Sequence, residues 1–211
     1  MKKSNQIIKS DQIELQSTII LPSEVDRPPC LILCHPNPRT GGSMDNNVID
    51  CVEEPLISAG IAIIKFNFRG VGESSGDFTD GREEASDVLS VVEFASRAPY
   101  INGSRLGVMG YSFGAWMALE AGLATNKIKT LVSVACPQRW YSTFGTTEIV
   151  QPKLLISGDR DHDFPLGQFR FLSNRFTDPK EIEIISGADH FFRGYESLLS
   201  ELITKFVDKT I

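Results

Sequence analysis

The sequence predicts an α/β fold: a mostly parallel, eight-stranded sheet between two helical layers, with an antiparallel edge on its N-terminal side. Three observations predict it. Short all-apolar runs such as Cys30-Leu31-Ile32-Leu33-Cys34 have the composition of strands covered on both faces. These runs alternate with helical patterns, the signature of βαβ units. Glycine- and proline-rich loops follow several of them, and in open α/β sheets ligands bind at the carboxyl ends of strands. A chain of 211 residues suits a single domain over 1–211, because single cores tend to split only beyond roughly 250 to 300 residues.

Residues 6 to 21 alternate imperfectly, with Ile7-Ile8, Ile13, Leu15 and Ile19-Ile20-Leu21, and fit two antiparallel strands turning around Ser10-Asp11. Pro22 to Pro29 is a polar loop, and the buried run Cys30 to Cys34 follows. It ends in His35-Pro36-Asn37-Pro38-Arg39-Thr40-Gly41-Gly42, whose prolines and glycines suit neither helix nor strand. A helix is predicted from Asp45 or Asn46 to Ser58, apolar at Val48, Ile49, Val52, Leu56 and Ile57, stopping at Gly60. The next strand, Ile61 to Phe68, runs into a second irregular loop, Arg69-Gly70-Val71-Gly72-Glu73-Ser74-Ser75-Gly76. Glu83 to Arg97 has a helical apolar face at Val88, Leu89, Val91, Val92 and Phe94.

A short strand, Leu106 to Met109, then meets a Gly110-Tyr111-Ser112-Phe113-Gly114 turn and a helix starting at Ala115. Strands are predicted at Thr130 to Ala135, Lys153 to Ser157 and Glu181 to Ile185. Helices are predicted at Leu166 to Arg175 and Tyr195 to Asp208. No repeat, linker or low-complexity segment interrupts the pattern.

Composition excludes several classes of function. Hydrophobic residues make up 41% and charged residues 23%, as in an ordinary globular protein. The net charge of −6, with no basic cluster, argues against a nucleic-acid partner. The four cysteines form no CxxC pair, and three lie in apolar patterns, as buried free thiols in a reducing compartment would. The N-terminal MKKSNQIIKSDQIE has no apolar run behind its lysines, against a signal peptide, and no stretch approaches the ~18 apolar residues of a membrane span. The expectation is a cytoplasmic protein. Three histidines without HxxxH or HxH spacing give no metal site, and GYSFGA lacks the spacing of a dinucleotide loop, so no cofactor is expected.

The chemistry centres on Ser112. A serine flanked two residues away by glycines, at a strand-to-helix junction, sits on a turn tight enough to strain its backbone and expose its hydroxyl. The helix start places the Phe113 N–H and a positive dipole end where an oxyanion would form. Serine is a weak nucleophile and needs a base. His190, in Ser186-Gly187-Ala188-Asp189-His190 after the last strand, can take and return the proton. A carboxylate on its other nitrogen would fix the tautomer, and Asp159, Asp161 and Asp163 all lie in the turn after the preceding strand.

The order Ser, Asp, His, with these motifs, resembles the α/β-hydrolases. The similarity is to small lidless members of the dienelactone-hydrolase-like and prolyl-oligopeptidase-like groups. Four segments carry it: HPNPRTGGSMDNNV (35–48), FNFRGVGESSG (66–76), GYSFGAWMAL (110–119), and SGDRDHDFP with GADHFF (157–165 and 187–192). The resemblance implies that Asp161, in Gly158-x-x-Asp161 with Pro165 beyond, is the triad acid and His190 the base. It also implies that Asn37, where relatives often show histidine, lends its backbone N–H to the oxyanion hole. His35 would brace that loop, Arg69 would pin loops together, His162 would be an exposed turn residue, and Cys34 a buried small residue.

Cys136 to Pro152 is too short for a lid, with Arg139, Trp140, Tyr141 and Phe144 as rim candidates. An open, shallow pocket for a small ester-type substrate is the expectation. The reading is a cofactor-independent serine hydrolase acting on an ester or related acyl bond. The alternatives are a prolyl-oligopeptidase-type peptidase and a non-catalytic binding scaffold.

Overall fold

The computed structural model describes residues 1–10, 13–144 and 148–211. Eight strands form one sheet: β1 (Lys2–Lys9), β2 (Glu14–Leu21), β3 (Cys30–Cys34), β4 (Ala62–Phe66), β5 (Leu106–Tyr111), β6 (Ile128–Val134), β7 (Lys153–Gly158) and β8 (Lys180–Ile185). Their spatial order is β1-β2-β4-β3-β5-β6-β7-β8. β1 and β2 are antiparallel, β2 meets β4 antiparallel, and every pairing from β4 to β8 is parallel. The α/β sandwich with an antiparallel N-terminal edge is therefore the observed fold. The turn expected at Ser10-Asp11 lies partly outside the described residues. On its described side, the Ser10 N–H donates to the Ile13 carbonyl at 2.9 Å.

Seven helices are described: α1 (Asn47–Asp50), α2 (Glu53–Ser58), α3 (Glu84–Arg97), α4 (Phe113–Ala124), α5 (Gln138–Tyr141), α6 (Leu166–Ser173) and α7 (Glu196–Thr210). Alternate residues of each strand face opposite layers. Ile32 and Val108 pack with α3, α4 and α6, while Leu31, Leu33 and Met109 pack with α1, α2 and α7. Among the described residues, no helix is long and apolar enough to cross a membrane. Between β6 and β7 the described chain carries only α5 and a 3₁₀ turn at Ser142–Phe144, so there is no lid domain.

Three expectations are corrected. The helix expected from Asp45 or Asn46 to Ser58 divides into α1 and α2. Asn46 caps α1 through its side chain on the Val48 N–H at 3.0 Å. Pro55 has no N–H to continue the ladder from α1, but is tolerated in the first turn of α2. The strand expected to reach Phe68 ends at Phe66, because the Phe68 N–H turns to the His35 ring at 3.0 Å. The five-residue turn around Ser112 shrinks to Ser112 alone, with β5 ending at Tyr111 and α4 starting at Phe113.

Candidate active site

With strand and helix abutting, Ser112 must absorb the whole change of direction. It does so at φ 56, ψ −115, a left-handed backbone that a side chain adopts only under strain. The two flanking glycines make the turn possible. A Cβ on Gly110 would meet the Gly114 carbonyl, and one on Gly114 would meet the carbonyls of Cys34 and His35. The Ser112 N–H is anchored on the Val134 carbonyl at 2.8 Å.

The loop after β8 delivers His190. Its carbonyl accepts from the Tyr111 hydroxyl at 2.9 Å, so the end of β5 clamps the histidine backbone. Its ring lies between two partners: Nε2 is 3.0 Å from Ser112 Oγ, and Nδ1 is 2.9 Å from Asp161 Oδ2. The buried carboxylate can only accept, so Nδ1 carries the proton and Nε2 is free to accept from the serine. Burial by itself would lower the His190 pKa. The hydrogen bond and charge of Asp161, with Asp163 and Asp189 behind it, more than offset this and hold it above the ordinary value.

The three turn aspartates separate by role. Asp161 has no side-chain exposure, and its other oxygen accepts the Asp163 N–H at 2.8 Å. Asp159 accepts from Ser186 Oγ and the Gly187 N–H at 2.9 and 2.7 Å, tying the β7 and β8 loops together. Asp163 stays mostly exposed, 3.9 Å from His190 Nδ1. Among the described residues, Asp161, Asp163 and His190 form a grouping whose donor atoms lie close enough to hold a metal, within 4.8 Å. Nδ1 already shares its proton with Asp161, which is the arrangement of an oriented imidazole.

Asn37 lies in the loop after β3, and Phe113 is the first residue of α4. Neither backbone N–H donates to an acceptor among the described residues. Both residues line a cavity of ≈ 440 Å³ that Phe78, Trp140 and Arg139 also wall. The Asn37 side chain accepts from the Arg39 N–H at 2.9 Å, and its carbonyl from the Thr40 and Gly42 N–H groups at 3.1 and 3.0 Å, which sets the loop's shape. His35, fully buried, accepts the Phe68 N–H on Nε2 and therefore donates from Nδ1 to the Pro36 carbonyl at 2.7 Å. Burial lowers its pKa to about 4, so it is a neutral brace.

Arg69 is spent on structure. It bonds Asp87, Ser86 and Glu83, joining the loop after β4 to α3. Cys34 is buried with its thiol pushed upward by burial, and His162 is exposed in its turn. Sequence reasoning missed Tyr111 and the Arg39–Asp80 ion pair, whose guanidinium also lies 5.7 Å over Phe78. It placed Trp116 and Trp140 near the rim or in packing. They stack on each other at 4.7 Å, with the Arg139 guanidinium 4.1 Å from the Trp140 ring centre. Arg39 and Asp80 lie 41 residues apart in separate loops, and no local pattern pairs them.

Known proteins place this site in context. The family model of the X-Pro dipeptidyl-peptidase (S15 family) matches residues 11–164, which include Ser112 and Asp161 and stop before His190. An α/β serine hydrolase homologue from Coxiella burnetii is 31% identical, with a TM-score of 0.86, covering 97% of each chain. A lidless α/β serine hydrolase from Xanthomonas campestris is 26% identical, with a TM-score of 0.82, covering 99% of this chain and 94% of that one. An uncharacterised protein of Rickettsia prowazekii is 27% identical over 187 residues, 85% of this chain and 78% of its own. The chain thus belongs to the S15 family within the α/β-hydrolase superfamily, and is a hydrolase.

Proposed function

We propose that the chain is a cofactor-independent serine hydrolase that cleaves a carboxylic ester or related acyl bond through an acyl-enzyme on Ser112. The observation that carries this reading is the unbroken line Ser112 Oγ–His190 Nε2 and His190 Nδ1–Asp161 Oδ2, at 3.0 and 2.9 Å.

Ser112 Oγ attacks the carbonyl carbon as its proton passes to His190 Nε2, while Asp161 stabilises the imidazolium that forms. The carbonyl oxygen becomes an oxyanion and accepts from the Phe113 N–H, aided by the positive end of α4, and from the Asn37 N–H. When the tetrahedral intermediate collapses, the imidazolium returns its proton to the departing alcohol. Water, deprotonated by His190, then attacks the acyl-enzyme and regenerates Ser112.

The open cavity beside Asn37 and Phe113 favours small or extended acyl groups over a long chain held in a tunnel. The S15 match keeps a second reading in view, cleavage at the end of a peptide. The test is labelling with a fluorophosphonate probe in wild type, Ser112→Ala and His190→Ala. Labelling that requires both residues supports the reading. A folded wild type that does not label overturns it in favour of a binding scaffold. Parallel ester and X-Pro peptide substrates then decide between the two bonds.

A further inference from the structure

More than one carboxylate faces His190. Asp161 Oδ2 holds Nδ1 at 2.9 Å from a fully buried position, and Asp163 Oδ2 approaches the same nitrogen at 3.9 Å with 62% of its side chain exposed. The two belong to one turn, and the Asp163 N–H donates to Asp161 Oδ1, so their relative placement is fixed by backbone. Among the described residues no donor is hydrogen-bonded to the Asp163 carboxylate, which leaves it free to rotate on its Cα–Cβ bond.

We infer that Asp163 is a second positioning residue for His190: its carboxylate stabilises the imidazolium across 3.9 Å and takes the Nδ1 hydrogen bond when Asp161 is neutralised. The inference rests on the reading of Ser112, His190 and Asp161 as nucleophile, base and orienting acid. When the Oγ–H bond breaks and the Nε2–H bond forms, a full positive charge appears on the ring. A carboxylate at this distance acts on that charge and very little on the neutral imidazole of the resting site, so its effect belongs to the proton transfer. A buried acid also orients the ring through a directional bond. A half-solvated one contributes chiefly charge, which salt should weaken.

The other groups around the ring set the background. Asp189 precedes His190 in the β8 loop. Tyr111 at the end of β5 donates to the His190 carbonyl, and Arg193 adds a cation on the Tyr111 side. Asp161, Asp163 and Asp189 all raise the His190 pKa, so removing the Asp163 charge lowers it and moves the acid limb of activity to lower pH.

The experiment measures kcat/KM against pH for p-nitrophenyl acetate in wild type, Asp163→Asn, Asp163→Glu, Asp161→Asn and the Asp161→Asn/Asp163→Asn double variant. Circular dichroism and fluorophosphonate labelling accompany each. Asp163→Asn should move the acid limb down by a few tenths of a pH unit at low salt and less at high salt, with Asp163→Glu restoring it. The double variant should lie about tenfold or more below Asp161→Asn, because a charge-assisted hydrogen bond is lost in addition. An Asp163→Asn profile that superimposes on wild type overturns the inference, as does a double variant equal to Asp161→Asn. If Asp161→Asn does not fold, the exposed single variant decides. A wild type that neither labels nor hydrolyses the ester removes the triad reading and the inference with it. Ser112-dependent labelling with indistinguishable Asp163 variants removes the inference alone.

Discussion

His35 Nε2 accepts the backbone N–H of Phe68 at 3.0 Å, so one buried imidazole joins the ends of the neighbouring parallel strands β3 and β4. Its other nitrogen donates to Pro36, the residue before Asn37. The side chain thus connects the sheet to the loop assigned to the oxyanion. Replacing it with leucine leaves the buried Phe68 N–H and the part-buried Pro36 carbonyl without their partner, at a cost of about 2 to 3 kcal/mol in urea unfolding. It should also loosen the Asn37 loop and lower ester kcat by about tenfold or more, with a smaller change in KM. Unchanged stability and rate would show that His35 braces nothing.

The same residue predicts a pH dependence of stability. Its folded-state pKa of about 4 lies below the ordinary 6.5, so the unfolded chain binds more protons wherever the two differ. Stability therefore falls as pH drops from about 6.5 to about 4, by about 3 kcal/mol for this group at full extent. Urea midpoints measured across that window should decline in wild type and decline less in His35→Leu. Parallel slopes in the two proteins would assign the acid sensitivity to other groups.

The glycine of the serine turn gives a paired prediction. A Cβ at Gly114 would meet two strand-end carbonyls, so Gly114→Ala should cost about 3 kcal/mol or more and abolish labelling of Ser112. Gly167 lies inside α6 with nothing within 4 Å of a Cβ, and Gly167→Ala should be neutral or stabilise by up to about 1 kcal/mol. Thermal unfolding of both variants checks the contrast. Equal effects would show that crowding at Gly114 is not what that position requires.

Much of this was legible in the sequence because it rests on local rules. GYSFG between an apolar strand and an apolar helix announces the serine turn, and all-apolar runs announce strands covered on both faces. Ser112, Asp161 and His190 come together because each sits just beyond a different parallel strand, at the carboxyl edge where β5, β7 and β8 end. Three-dimensional pairings were not legible. The division of α1 from α2 depends on Pro55, which the apolar periodicity of Val48, Val52 and Leu56 conceals. The clamp of Tyr111 on His190 spans 79 positions, and no spacing rule reaches that far. The resemblance in Gly158-x-x-Asp161 with Pro165 beyond picks Asp161 over Asp159 and Asp163, and the geometry agrees, although residue chemistry alone does not separate three like carboxylates in one turn.

The ion pair of Arg69 with Asp87 offers a last test, because its role was expected to be structural and its surroundings make that quantitative. The Asp87 side chain has no exposure and that of Arg69 has 8%, and the carboxylate also accepts the Arg69 N–H at 3.0 Å. Burial pushes the Asp87 pKa up, and the hydrogen bonds and charge of Arg69 pull against it. Removing Arg69 strands the buried Asp87 as an uncompensated charge, and Arg69→Met should cost about 3 to 5 kcal/mol. Removing Asp87 leaves Arg69 its bonds to Glu83 and Ser86, so Asp87→Leu should cost less. Removing both leaves an apolar contact and no stranded charge. The double variant should therefore recover part of the loss, with a coupling of about 1 to 3 kcal/mol in the cycle. Because neither side chain contacts Ser112 or His190, the double variant should still take the fluorophosphonate label where it is folded. Strictly additive losses would show that the two residues act separately. A folded double variant that no longer labels would mean that Arg69 serves the reacting site directly.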